Sequence, residues 1–155
     1  MGTTRTARAE PRPWAFWPLR VLVTLAATLL FVQAVLAGQF LSGSYGSLLW
    51  HQNNAALTDM VLIAAIPAGV LVRWPGRGPL WPTFAVAGLL AISYTQSELG
   101  FSRVLTVHVP LGVAMIMLAA VLTAWVWWQP RNSHRGPGAA RTDRTSEPIE
   151  DGDVS

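Results

Sequence analysis

Two histidines, His51 and His108, are the residues of this chain whose type and placement best suit chemistry. Each heads an apolar segment. Each is followed four positions on by a small residue, in His51-Gln-Asn-Asn-Ala55 and His108-Val-Pro-Leu-Gly112. Neutral imidazole ligates metals through either ring nitrogen. Two imidazoles on opposite sides of one iron would make a bis-histidine b-type heme of the electron-transfer kind. Position i+4 lies one helical turn away on the same face, so Ala55 and Gly112 would leave room for a flat macrocycle. A zinc site would ask for three or four ligands, and no third partner is obvious; His134 lies far along the chain in a polar tail. The same pair also reads as two hydrated interfacial histidines with no cofactor.

The elements that must hold these residues are legible from composition. Of 155 residues, 52% are hydrophobic and 12% charged, with a mean hydropathy of +0.37. A soluble domain carries about 25% charge, so an integral membrane domain with polar ends is the class implied. There is no cysteine, which excludes disulfides, thiolate metal sites, iron–sulfur clusters and covalent c-type heme attachment. Arginine supplies all the basic charge, since lysine is absent. In a membrane protein that basicity speaks first to orientation and not to nucleic acid. The Arg-, Ala-, Gly- and Pro-heavy usage hints at a GC-rich bacterial genome. No nucleophile paired with a base and no Gly-rich phosphate loop is visible, so an enzyme is not the expectation.

Four apolar stretches, about 19–40, 51–72, 80–99 and 104–128, each approach the ~20 residues that cross a hydrocarbon core. The expected architecture is an all-α, four-helix transmembrane bundle at 18–129. A polar cytoplasmic segment, 1–17, would precede it, and a disordered cytoplasmic tail, 130–155, would follow. Arg5, Arg8, Arg12, Arg20, Arg73, Arg77, Arg131, Arg135, Arg141 and Arg144 all fall on one side, and only Arg103 on the other. The positive-inside rule then puts both termini in the cytoplasm, in a multi-pass protein of the cell membrane. Trp14, Trp17, Trp74, Trp81, Trp125, Trp127 and Trp128 mark the inner interface, and Trp50 the outer one. A cleavable signal peptide ending at Val35-Leu36-Ala37 is the rival for the first stretch. That stretch is longer than a usual signal core.

The halves repeat weakly. Gln33 precedes Gly38 and then His51; Gln96 precedes Gly100 and then His108. Two hairpins related by an axis along the membrane normal would make the second and fourth helices face each other. At ~1.5 Å per residue, His51 stands about 33 Å above Arg73 and His108 about 34 Å above Arg131, so both would lie at one depth near the outer boundary. Arg103, the lone outer cation, would pair with a heme propionate. Gln52, Asn53, Asn54 or a backbone carbonyl would orient the ligating rings. Leu57, Leu111 and Met115 would flank the macrocycle.

Asp59 is the one acidic residue well inside a span, which makes it a functional candidate by default. It sits about 80° round the helix from His51, so a bond to a neighbouring helix is the simpler reading, with a proton or ion role beside it. Gln33 and Gln96 read as interhelical hydrogen-bond partners, and Gly38, Gly69, Gly88 and Gly112 as sites of close helix contact. Glu98 is either solvated or paired with Arg103. Pro67 would bend the second helix, and Pro110 would start or kink the fourth.

At His51-Gln-Asn-Asn-Ala55 and His108-Val-Pro-Leu-Gly112 the layout resembles one half of a heme A synthase, or a small di-histidine b-type cytochrome. Gln33-Ala-Val-Leu-Ala-Gly-Gln-Phe-Leu-Ser-Gly43 and Gly100-Phe-Ser-Arg-Val-Leu-Thr-Val-His-Val-Pro-Leu-Gly112 resemble an uncharacterised family of small four-helix bacterial membrane proteins. The likeness covers about residues 19–128. The acidic and loop-cysteine motifs of the larger synthase pattern are absent, so the resemblance implies a heme-holding scaffold and not the synthase reaction. Three functions stand open: a heme b electron relay with a membrane redox partner, a cofactor-free structural or accessory protein, and a small proton-coupled transporter using Asp59. Sequence sets no oligomeric state.

Overall fold

A computed structural model describes residues 11–129, and these fold as four helices with no strand among them. A short 3-10 turn, Pro13–Phe16, leads into α1 (Trp17–Leu41); α2 (Ser47–Arg73), α3 (Trp81–Phe101) and α4 (Leu105–Trp128) follow. Packing runs around a ring: α1 on α2, α2 on α3, α3 on α4, and α4 back on α1. That leaves α2 and α4 as one diagonal of the bundle. The expected terminal segments 1–10 and 130–155 lie outside the described residues.

Local sequence explains the boundaries. Pro18 and Pro82 sit in the first turns of α1 and α3, where a missing N–H costs nothing and the fixed φ is already helical. After α1 the chain turns at Gly43, whose φ of 99° suits glycine. Helix α2 begins at Ser47 and not at His51. The loop between α1 and α2 is therefore shorter than the apolar stretches implied, because Leu48-Leu49-Trp50 contains no breaker and simply continues the helix. Between α3 and α4 only Ser102-Arg103-Val104 intervenes, with Arg103 in the left-handed region at φ 57°.

Three helices are long and apolar enough to cross a membrane: Pro13–Leu41, Ser47–Arg73 and Leu105–Trp128. The fourth expected span exists as a helix, α3, but does not reach that apolar content. Its second half carries Ser93, Thr95, Gln96, Ser97 and Glu98.

Buried positions follow a 4-3-4 spacing: Leu19, Val23, Ala26 and Leu30 on α1, Val86, Leu89 and Ser93 on α3, and Met115, Ala119, Leu122 and Val126 on α4. This 3.5-residue period keeps one seam facing the partners along near-parallel helices. Carried toward the loops at Gly43 and Arg103, the same register reaches Gln33 on α1, Gln96 on α3 and His108 on α4. The seam is thus apolar at one end of the bundle and polar at the other.

The apolar end is closed by tryptophans. Trp81 meets Trp125 edge-on at 4.3 Å, and Trp17 meets Trp127 at 5.6 Å. Arg20 is buried there. Its Nε donates to the Val126 carbonyl at 3.1 Å, and its guanidinium lies 5.4 and 5.2 Å from the rings of Trp17 and Trp127.

Close helix contact at glycine holds for α2 on α3: a Cβ built on Gly69 would stand 2.7 Å from Thr83 Oγ1 and 3.0 Å from Thr83 Cα. Gly69→Ala is expected to lose about 1–3 kcal/mol by overpacking, read as a fall in thermal midpoint in detergent. Gly38 and Gly88 differ from the expectation, since no atom lies within 4 Å of a Cβ at either. Both are exposed, so neither glycine is required for close packing within the chain.

Candidate functional site

The polar end of the seam gathers the residues singled out by spacing. His51 on α2 and His108 on α4 face each other across the diagonal, with ring centroids 6.4 Å apart and planes inclined by 54°. Both rings are half-buried.

Each ring is fixed in the same way. His51 Nδ1 lies 3.2 Å from the backbone carbonyl of Gln33, and His108 Nδ1 lies 2.9 Å from that of Gln96. A carbonyl oxygen only accepts, so Nδ1 carries the proton and donates in both cases. In the neutral tautomer the lone pair of each ring is then on Nε2. This is the orientation seen when histidine binds a metal, with the second nitrogen tied to a carbonyl that fixes tautomer and ring direction. Of the expected orienting groups it is the backbone carbonyl that serves; Gln52 and Asn53 are exposed.

The recurring glutamine has a structural meaning. On α1 and on α3 it is the residue whose carbonyl receives the histidine of the next helix. The equivalence ends at the side chains. Asn54 Nδ2 donates to the Leu29 carbonyl at 2.9 Å and also to Gln33 Oε1. That clamp locks α2 to α1 one turn below His51. On the other side Leu111 stands where Asn54 does, and the Gln96 carboxamide turns to α4. Its Nε2 would lie 3.0 Å from a Cβ on Gly112, so the recess expected at Gly112 is filled by Gln96. Ala55 is partly buried.

Gln96 is 9% exposed, and its Oε1 is buried without a hydrogen-bond partner. An unsatisfied buried acceptor costs about 1–3 kcal/mol. Gln96→Met keeps the length and removes that oxygen, so the variant is expected to melt higher than the unmodified protein; a lower midpoint would show that the carboxamide is satisfied after all.

Gly100 is the contributor that spacing flagged without explaining. A Cβ there would meet His108 Cε1 at 3.3 Å and Nδ1 at 3.5 Å. The bare backbone lets the ring lie against α3, within reach of the Gln96 carbonyl one turn away. Only the repeated order Gln-Gly-His hinted at this.

Asp59 stands apart from the rings. It accepts a hydrogen bond from Ser93 on α3, a buried residue, which is the neighbouring-helix bond expected from its angle. Thr58, 1% exposed, bonds back to the Asn54 carbonyl at 2.8 Å. Arg103 and Glu98 are both exposed and form no ion pair with each other. Of the proposed flanking residues, Met115 is buried, Leu111 partly buried and Leu57 exposed. Among the described residues no group of three or more His, Cys, Asp or Glu gathers to hold a metal ion. A group ligated by the two rings must therefore bring its other ligands with it.

No protein-family model, no curated protein and no solved structure matches the chain.

Proposed function

We propose that this protein is a multi-pass module of the bacterial cell membrane, with both termini cytoplasmic, that holds a b-type heme between His51 and His108 for electron transfer. The observation that carries the reading is the opposed ring pair with both Nδ1 atoms committed to carbonyls. Imidazole–metal bonds are about 2 Å long, so two rings whose centroids are 6.4 Å apart are close enough that both could hold one metal centre. The donor set also fits, because two neutral imidazoles suit an electron-transfer heme. When bound, the group supplies reversible one-electron chemistry.

The chain's own residues do the rest. The carbonyls of Gln33 and Gln96 hold both Nδ1 atoms and leave each Nε2 free to ligate, and the Asn54 clamp ties α2 to α1. The apolar seam below keeps water from the inner side. Arg103, alone among the arginines at this end, would pair with a propionate at the outer boundary and would face a membrane redox partner. Orientation rests on the ten-to-one arginine asymmetry, and the lipid bilayer is the solvent for the exposed apolar faces. Oxidised and dithionite-reduced spectra of protein purified from cells supplied with heme test the proposal. A Soret band with sharp reduced α and β bands is expected, and a colourless protein under those conditions overturns it.

The second reading, a cofactor-free accessory protein, is favoured by the Gln96 carboxamide at Gly112, which occupies space a macrocycle would use. The third, a proton-coupled carrier using Asp59, has only the Ser93 contact behind it, and that contact serves equally to join α2 to α3.

A further inference from the structure

The outward face of the bundle is not uniform. Between α3 and α4 runs an open groove of about 220 Å³ whose lining is almost wholly apolar, with Ala85, Gly88 and Ile92 on α3 and Leu118, Val121 and Leu122 on α4. Gly88 lies in its wall with nothing within 4 Å of a built Cβ. A mid-helix glycine costs about 1 kcal/mol relative to alanine, and no packing within the chain explains this one. The groove borders the exposed face of α3, where Phe84, Ala87, Ala91, Thr95 and Glu98 succeed one another at helical spacing. That helix is also the one of the four not among those long and apolar enough to cross a membrane.

We infer that α3 and its groove form a self-association surface, on which a second copy of this chain packs α3 against α3 about a two-fold axis. Such an interface is isologous: residue i meets j, and j meets i. The α3 face is self-complementary in both respects that matter. Phe84, 69% exposed, is a knob one turn from the hole at Gly88. Small residues at four-residue spacing, Ala87, Ala91 and Thr95, let two helix backbones approach closely in a membrane. Charge agrees. Glu98 lies in the last turn of α3, and Arg103 follows it in the adjoining turn; both are exposed and not paired with each other. Across a two-fold axis Glu98 of one copy meets Arg103 of the other, twice. A foreign helix would need to supply that pattern anew, whereas a second copy carries it already. The inference is independent of any cofactor at the histidines.

The absence of cysteine makes the test clean. The full chain carrying Ala91→Cys, reconstituted in phosphatidylcholine vesicles and mildly oxidised, is expected to form a covalent dimer. Leu25→Cys, exposed on the diagonal helix α1, is expected to stay monomeric. Adding Gly88→Leu to Ala91→Cys should cut the dimer yield at least tenfold. Because that variant fills the groove and alters packing, a charge exchange provides the second reading: Glu98→Arg alone lowers the yield, and Glu98→Arg with Arg103→Glu restores it. Equal crosslinking from both cysteine positions overturns the inference. So does a monomeric mass for the unmodified chain in those vesicles, which would leave the groove to lipid acyl chains.

Discussion

Replacing His51 and His108 together by alanine is expected to abolish heme absorbance completely while leaving the bundle folded. The two rings are the only imidazoles among the described residues, and no group of three or more His, Cys, Asp or Glu gathers elsewhere among them. Each single variant should lose more than the ~10–100-fold in affinity that removal of an outer partner costs a metal site, because a ligand itself is gone. The structural cost is small by comparison. Each half-buried ring makes one hydrogen bond, to Gln33 or to Gln96, worth about 0.5–1.5 kcal/mol net, and the apolar seam that holds the helices together is untouched. Circular dichroism and thermal unfolding should therefore stay near those of the unmodified protein as the Soret band disappears. A band that survives both substitutions sinks the bis-histidine proposal. A collapse of helicity along with the band would instead assign the histidines a structural role.

The largest effect on stability is expected at the opposite end, in the loop between α2 and α3. Gly76 is buried. A Cβ there would fall 2.4 Å from the Val72 carbonyl oxygen, 2.6 Å from Ala15 Cβ and 2.8 Å from the Leu71 carbonyl oxygen. Two of these are backbone atoms of α2's last turns, so no side-chain rotation relieves the clash. The same residue ties the N-terminal segment down: its carbonyl accepts from Arg12 N at 2.8 Å, and its N–H donates to the Leu71 carbonyl at 3.0 Å. Gly76→Ala must lift the 3-10 turn off the loop or unwind the end of α2. A loss of about 1–3 kcal/mol is the usual range for overpacking, and here the upper end is expected, with the midpoint of thermal unfolding as the measure. Gly78, two residues on, would meet Val72 Cγ1 at 2.7 Å, Phe16 Cζ at 2.9 Å and the Val72 carbonyl oxygen at 3.0 Å. Its two shortest contacts are to side-chain atoms and its backbone contact is longer than either of those at Gly76, so Gly78→Ala should cost less than Gly76→Ala. The reverse order would mean that backbone contact is not what makes the loop intolerant.

Much of the fold was legible because it follows from the period of burial and the length of the apolar runs. The four helices, their antiparallel order, the tryptophan-lined end and the shared level of the histidines all come from spacing alone. So does the Asp59 contact with a neighbouring helix, read from its angle relative to His51. The stretch at 80–99 is a helix as expected, although with Ser93, Thr95, Gln96, Ser97 and Glu98 it is not among the three that are long and apolar enough to cross a membrane. One expectation failed for an identifiable reason. Gly38 and Gly88 were given contacts because small residues in membrane helices commonly have them, but nothing in the order of residues says which way a glycine faces in the bundle.

Sequence by itself determined that His51 and His108 lie near the start of two helices running the same way, at one end of the bundle, one turn from a small residue. Only the tertiary structure decided which groups hold the rings. A backbone carbonyl has no letter of its own, so the roles of Gln33 and Gln96 through their main-chain oxygens were invisible, and each glutamine was read as a side-chain partner. Tertiary packing also made the two halves unlike. Asn54 satisfies the Gln33 carboxamide, whereas Leu111 offers nothing to Gln96, whose side chain settles against Gly112 in the space a macrocycle would need. A repeat in sequence fixes where equivalent backbones lie; which side chains find partners there depends on neighbours that the repeat does not preserve.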